Sequence, residues 1–163
     1  MKDCTSKSTL MKKKIRLNIL NNTDENLTDK SLCKTDKEHY QQTIESLLYL
    51  SLETRSDISF AVVILSQFTA NLHEKHKTAL NQIFHYLRST LDVDIIYYIV
   101  KSPIPTGFTD ASFAHLIVKK DCCSTSEYIF FMAGGPVSWS CKHQSTVTTS
   151  FIKTEYIGQY NAA

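Results

Sequence analysis

No apolar run in this 163-residue chain approaches the ~20 residues that cross a bilayer. The N-terminus carries no apolar h-region, so a secretory leader is not expected. No Cys-x-x-Cys occurs and the cysteine count of five is odd, which argues against a zinc ribbon and a complete disulfide framework. Reduced thiols at Cys4, Cys33, Cys122, Cys123 and Cys141 are expected instead, in an intracellular setting, cytoplasmic or nuclear. The sequons at Asn21 and Asn26 then stay unused. There are no internal repeats, which excludes a solenoid. A strong charge of one sign is also missing. Residues 1–37 hold nine Lys and Arg against five Asp and Glu, whereas residues 38–163 hold nine against eleven. Only the leading segment has the basic surplus that sequence-independent nucleic-acid binding requires.

What is present is enough apolar material for a core. Hydrophobic residues make up 42% and charged residues 21%, in the range of a folded domain. Residues 1–37 read as a polar basic arm, with one short strand possible near Ile15 to Leu20. Tyr40, Ile44, Leu47 and Leu48 fall on one face of a helix over 38–54. Residues 57–70 are apolar almost all round, as in a buried helix. Residues 75–91 show a clean stripe of Leu80, Ile83, Phe84, Leu87 and Leu91. The short breaks between these three helices predict antiparallel neighbours in a small bundle.

The period then changes. Residues 95–100, IIYYIV, are β-branched and aromatic, and predict a strand. The Pro-rich stretch 101–107 is the natural linker. Strands follow around 108–113, 128–132 and 137–141. Ala133-Gly134-Gly135-Pro136 closes the last two into a hairpin. Ser150 can N-cap a final helix whose inward residues are expected to be Ile152, Tyr156 and Tyr160.

Several strings, weak alone, occur in one order. Met1-Lys2-Asp3-Cys4 and Ser8 to Met11 open the series. Residues 40–50 (YQQTIESLLYL) come next, then Thr54-Arg55-Ser56-Asp57-Ile58 and residues 76–90 (HKTALNQIFHYLRST). Phe108 to Ser112, Ser124-Thr125-Ser126, Gly135 to Ser140 and Lys153-Thr154-Glu155-Tyr156 complete it. Together they resemble the copia-type retrotransposon Pol polyprotein over almost the whole chain. The region resembled is the tail of the reverse transcriptase and the opening half of ribonuclease H.

The resemblance implies an α+β chain. Residues 38–100 would be a small helical bundle like a reverse-transcriptase thumb or connection. After the 101–107 linker, residues 108–163 would be an incomplete ribonuclease-H-like α/β unit. It implies an ancestral role on RNA–DNA hybrid or DNA, no membrane partner, and a Mg²⁺-dependent two-ion chemistry. Asp110 and Glu155 match the family's first and second metal ligands, and the polymerase aspartates have no counterpart. The remaining ribonuclease H ligands are expected beyond residue 163, so a catalytically inactive remnant is expected unless a partner chain or another acid, such as Asp121, completes the site. Read without the resemblance, Asp110 is a strand-end acid and Glu155 an acid favoured by the dipole of a helix's first turn.

Departures from the family point the same way. Ser112, Phe113 and His115 replace an Asp, a Trp and a Gly. Glu45, Ser56 and Lys77 replace a Gly, a Pro and a Trp. Asn81, Gln82 and His85 stand where basic residues are common. Lys12, Lys13, Lys14 and Arg16 are either a solvated charge run or a nucleic-acid-binding arm, with Lys75, Arg88 and Lys142 as further cations for such binding. A host-adopted protein-interaction domain is the remaining alternative, its partner unspecified. His73 and His76, at i and i+3, are expected to face solvent rather than a metal. Tyr97 and Tyr98 are expected to serve packing, and Trp139 to belong to a core.

Overall fold

A computed structural model describes residues 34–113 and 123–163. The arm residues Lys12, Lys13, Lys14 and Arg16, the strand near Ile15 to Leu20, both sequons, Cys4, Cys33, Cys122, His115 and Asp121 lie outside the described residues. Among those described, no helix is long and apolar enough to cross a membrane. The chain forms two compact units that divide between Asp92 and Val93. The sequence placed the division in the Pro-rich stretch 101–107. Residues 93–100 instead keep company with the second unit, through contacts described below.

The first unit holds helix α1 (Lys34–Glu53), a 3₁₀ turn at Ser56–Ile58, α2 (Ser59–Ser66) and α3 (Glu74–Ser89). The three expected helices are present. α1 buries Tyr40, Ile44 and Leu47, the stripe its period predicts. α2 is the centre of the core, with Ala61, Val62, Ile64 and Leu65 all buried. It is shorter than the apolar run suggests. Ser66 Oγ donates to the Val63 carbonyl and Thr69 Oγ1 to the Ser66 carbonyl, so hydroxyls take over backbone acceptors where the helix ends. Tyr40 Oη donates to the Leu65 carbonyl at 3.0 Å, tying α1 to α2. Its burial pushes the phenol well above the usual range, so it stays a donor. Lys77 Nζ bridges to Asp36 Oδ1 at 3.0 Å, joining α3 to α1.

α3 departs from expectation at two points. Leu91 lies past the helix end and is 69% exposed. His76 is buried rather than solvent-facing. Its ring stacks on Phe68 at 4.1 Å between centroids, and its Nδ1 accepts the His73 backbone N–H at 3.2 Å. A histidine in the first turn can satisfy an orphan backbone group while its ring replaces apolar surface, which a stripe of Leu and Ile does not reveal. At the other end, Arg55 reaches the Thr90 carbonyl and Oγ1 at 3.2 and 2.6 Å while pairing with Asp57 at 2.8 and 3.0 Å. Tyr86 Oη also donates to Asp57, at 2.9 Å. Burial alone would raise the Asp57 carboxyl, but the hydrogen bonds from Arg55 and Tyr86 outweigh it and hold it below its usual range. This carboxylate therefore adds stability above its unfolded pKa, and the contribution is lost as pH falls through the lowered folded value.

The second unit is a three-stranded antiparallel sheet in the order β1 (Thr106–Ser112), β2 (Thr125–Met132), β3 (Gly135–His143), followed by α4 (Phe151–Ala162). Met132 pairs with Gly135, so the β2–β3 turn is two residues, Ala133 and Gly134. Their φ of 54° and 88° is the pattern of a type I′ hairpin. The rings of Tyr98 and Tyr97 lie where a Cβ on Gly134 or Gly135 would fall, 2.4 and 2.6 Å from it, so both positions need glycine.

Residues 95–100 do not form the expected strand. They pass the hairpin tip with the Tyr98 N–H on the Ala133 carbonyl at 2.7 Å and Tyr97 Oη on the Pro136 carbonyl at 2.6 Å. Next to them β3 carries Pro136 at its second position, which has no N–H, and its register shifts opposite Phe130 and Phe131, so no regular ladder can continue there.

α4 is capped as predicted, with the Lys153 N–H on Ser150 Oγ at 3.3 Å. Its orientation is the reverse of the prediction. Ile152, Tyr156 and Tyr160 are 80, 71 and 76% exposed, and Thr154 and Gly158 are buried. The surface beneath is small and polar. A Cβ on Gly158 would stand 3.2 Å from Ala111 Cβ, and Thr154 sits among the hydroxyls of Ser124 and Thr148. Gln144 adds bonds to Ser126 Oγ and the Thr154 carbonyl at 2.7 and 3.0 Å. Close approach and these bonds set the phase of the helix.

Candidate functional site

Asp110 lies mid-β1 and is exposed, its Oδ1 accepting the Ala111 N–H at 2.9 Å. Pairing sets it directly opposite Glu127 on β2, and Glu127 directly opposite Cys141 on β3. Directly paired residues share a face of the sheet, so an acid, an acid and a thiol form one row. Ala111, the next residue, faces α4 through Gly158, so the pleat turns Asp110 to the other face. Glu155, one turn before Gly158, is half-buried on α4, the helix on the face that Asp110 turns away from. The acid set beside Asp110 is thus Glu127, which the sequence reading passed over.

The row has a definite electrostatic character. Burial pushes the Glu127 carboxyl up; the hydrogen bond with Cys141 opposes it, and the Asp110 charge adds a smaller upward push. Burial and the neighbouring Glu127 push the Cys141 thiol up to about 12. Cys141 is therefore a protonated donor at neutral pH, neither a nucleophile nor a thiolate ligand. Two Mg²⁺ ions need several hard oxygen donors converging from different elements. Among the described residues no three His, Cys, Asp or Glu come together to hold a metal ion. Asp110 and Glu127 with a neutral thiol do not fit a two-ion centre.

Glu127→Gln is expected to stabilise the protein at pH 7 and to remove a pH dependence. A folded pKa above the unfolded one gives stability that is complete below the unfolded value and is lost as pH rises through the folded one. Urea midpoints at pH 4 and pH 7 test this. An unchanged pH dependence in the glutamine variant would remove Glu127 from the account.

Comparison with known proteins decides the ancestry. Over 136 residues, 78% of the chain, the sequence is 35% identical to the "Retrovirus-related Pol polyprotein from transposon TNT 1-94" of Nicotiana tabacum. Over 122 residues, 75% of the chain, it is 38% identical to the corresponding polyprotein from transposon RE1 of Arabidopsis thaliana. It is also 34% identical over 118 residues to a Plasmopara viticola protein named "Secreted RxLR effector protein 161", matching 72% of this chain and 82% of that one. The chain belongs to the retrotransposon Pol-related family. It spans only 10% and 8% of the two polyproteins. No protein-family model matches the chain, and no solved structure does.

Of the candidate nucleic-acid residues in this Pol-related chain, three are described, two on the first unit and one on the second. Lys75 and Arg88 stand in the first and last turns of α3, about 20 Å apart at 1.5 Å per residue. Lys142 belongs to β3 of the other unit, in the Ala111–Ser126 row of the sheet. The substitutions that depart from the family are accommodated locally. Glu45 is exposed on α1 and accepts from Gln41 Nε2 at 3.1 Å. Gln82 is buried, so it presents no contact to a phosphate.

Proposed function

We propose that the chain derives from the point where a copia-type Pol polyprotein passes from the reverse-transcriptase tail into ribonuclease H. Its ancestral substrate is RNA–DNA hybrid, and the chain itself is hydrolytically inactive. In this reading α1 to α3 correspond to the thumb- or connection-like bundle and β1 to α4 to the opening of a ribonuclease-H-like unit. Asp110 and Glu155 are remnant ligands. The observation that carries the inactive part is the acid row: beside Asp110 stand one carboxyl, raised by burial, and a neutral thiol. Such a row cannot position two hydrated Mg²⁺ ions or supply their share of transition-state stabilisation. The same reading places the chain inside the cell, with Cys123 and Cys141 as thiols.

The purified chain is expected not to cleave the RNA strand of a hybrid above background with Mg²⁺ or Mn²⁺. Metal-dependent cleavage that disappears in Asp110→Asn would overturn the inactive reading. A gel-shift series with the same hybrid tests the nucleic-acid alternative. Binding through the basic arm must weaken steeply between 50 and 200 mM salt, as phosphate contacts do.

A second reading, a protein-interaction domain, is favoured by one comparison. The Plasmopara viticola relative, 82% of which is matched here, shows that a sequence of this extent occurs as a separate protein. A stable complex with a host protein, formed without nucleic acid, would support it.

A further inference from the structure

The second unit leaves two β-type features unsatisfied. The first is the outer edge of β1. Among the described residues the sheet order makes β1 and β3 the edges. β3 is protected by Pro136, a register shift and Lys142, the devices that keep edges from pairing. β1 has none of them. Its register with β2 is unbroken from Thr106 to Ser112, its sequence TGFTDAS lacks Pro and Lys, and residues 106–110 are exposed.

The second is the run Ile95-Ile96-Tyr97-Tyr98-Ile99-Val100. All six side chains are exposed, from 39% at Ile95 to 106% at Ile99, in the segment with the strongest β-forming composition of the chain. The hairpin tip anchors it at Tyr97 and Tyr98, beside β3 and Pro136, so it does not cover β1 of its own copy.

We propose that a second copy of this chain covers that edge, its residues 95–100 adding as a fourth strand on β1. The two features answer each other. One is a strand edge exposed over residues 106–110, and the other an uncharged run that forms no ladder among the described residues. Both occur on the same unit, so two copies can satisfy one another reciprocally. The flanking charges choose the direction. Asp94 precedes the run and Lys101 follows it. Parallel addition brings Lys101 toward the Asp110 end of β1 and leaves Asp94 at the Thr106 end, whereas antiparallel addition sets Asp94 near Asp110. The six side chains offer several hundred Å² per copy, close to the roughly 800 Å² per partner of a standard stable interface. Strand addition also supplies main-chain hydrogen bonds that apolar contact alone does not.

The test uses the full chain. Sedimentation from 1 to 200 µM is expected to show a monomer–dimer equilibrium. Hydrogen exchange is expected to show amides of residues 95–100 and 106–110 gaining protection as concentration rises. Ile99→Lys, at a site exposed in the single copy, should weaken the dimer at least tenfold and abolish that gain while leaving the circular dichroism unchanged. A chain monomeric at 200 µM would overturn the proposal. So would a dimer indifferent to Ile99→Lys, and one abolished by Ile152→Lys would assign the interface to the exposed face of α4 instead.

Discussion

Gly158→Leu is expected to lift α4 from the sheet and cost about 3 kcal/mol or more, at or above the upper end of the usual overpacking range. A bare Cβ at residue 158 would already meet Ala111 Cβ at 3.2 Å, with the Asp110 carbonyl and Ser126 Oγ at 3.7 Å. Two of these three neighbours are a strand's Cβ and carbonyl, which cannot swing away as a long side chain would. The Ser124–Thr148–Thr154 hydroxyl cluster and Gln144 are held by the same docking, so a displaced helix also strands buried polar groups. A unit of about 70 residues is stable by only ~4–10 kcal/mol, so the loss is a large fraction of what there is. Gly158→Ala separates the causes. It adds the tight contact but gains roughly 1 kcal/mol of helix propensity, so it should be near neutral. Denaturant midpoints of the two variants check this, and equal stabilities for leucine and alanine would show that the helix does not depend on close approach.

Gly158 also marks where sequence reading misjudged the fold. A stripe of Ile152, Tyr156 and Tyr160 has the spacing of an inward face, yet the face that packs is Thr154 and Gly158. Apolar periodicity finds a helix's core side when the surface opposite is apolar, as it is for Leu80, Ile83 and Leu87 on α3. It fails where the opposing strand offers Ala111 and Ser126 and the contact is made by small residues and hydroxyls. The run at 95–100 failed for another reason. β propensity describes a side chain's fit to a pleated surface, and in the single copy no edge is free beside it. In the acid row the limit was register. The two-residue turn at Ala133–Gly134 alone would set Glu127 opposite Ser140, and the register shift at Phe130–Phe131 moves it to Cys141, so that pair could not be read from the turn. No short turn fixes β1 against β2, and Asp110 opposite Glu127 could not be read from spacing. Asp110 itself was legible only through the ordered strings that resemble copia-type Pol.

In the first unit the largest loss is expected from Phe68→Ala, about 3–5 kcal/mol in the range for emptying an aromatic site. Phe68 is 1% exposed and lies just after α2, where that helix has unwound into turns. Its ring lies against His76 with 22° between the planes, so one contact joins the end of α2 to the first turn of α3. Truncation opens a cavity and also frees the histidine ring whose Nδ1 accepts the His73 N–H. The damage should therefore appear as fraying of the α3 N-terminus as well as a lower midpoint. The described part of this unit, residues 34–92, carries on the order of 3–9 kcal/mol, so the loss is a large fraction of what there is. Phe68→Leu keeps most of the volume and loses the stack, and should cost under half as much. Thermal melts followed at 222 nm, with hydrogen exchange at residues 74–78, give both readouts. A Phe68→Ala protein that melts with the wild type, or that loses stability with no change in exchange there, would show that the Phe68–His76 stack does not hold α3 to the core.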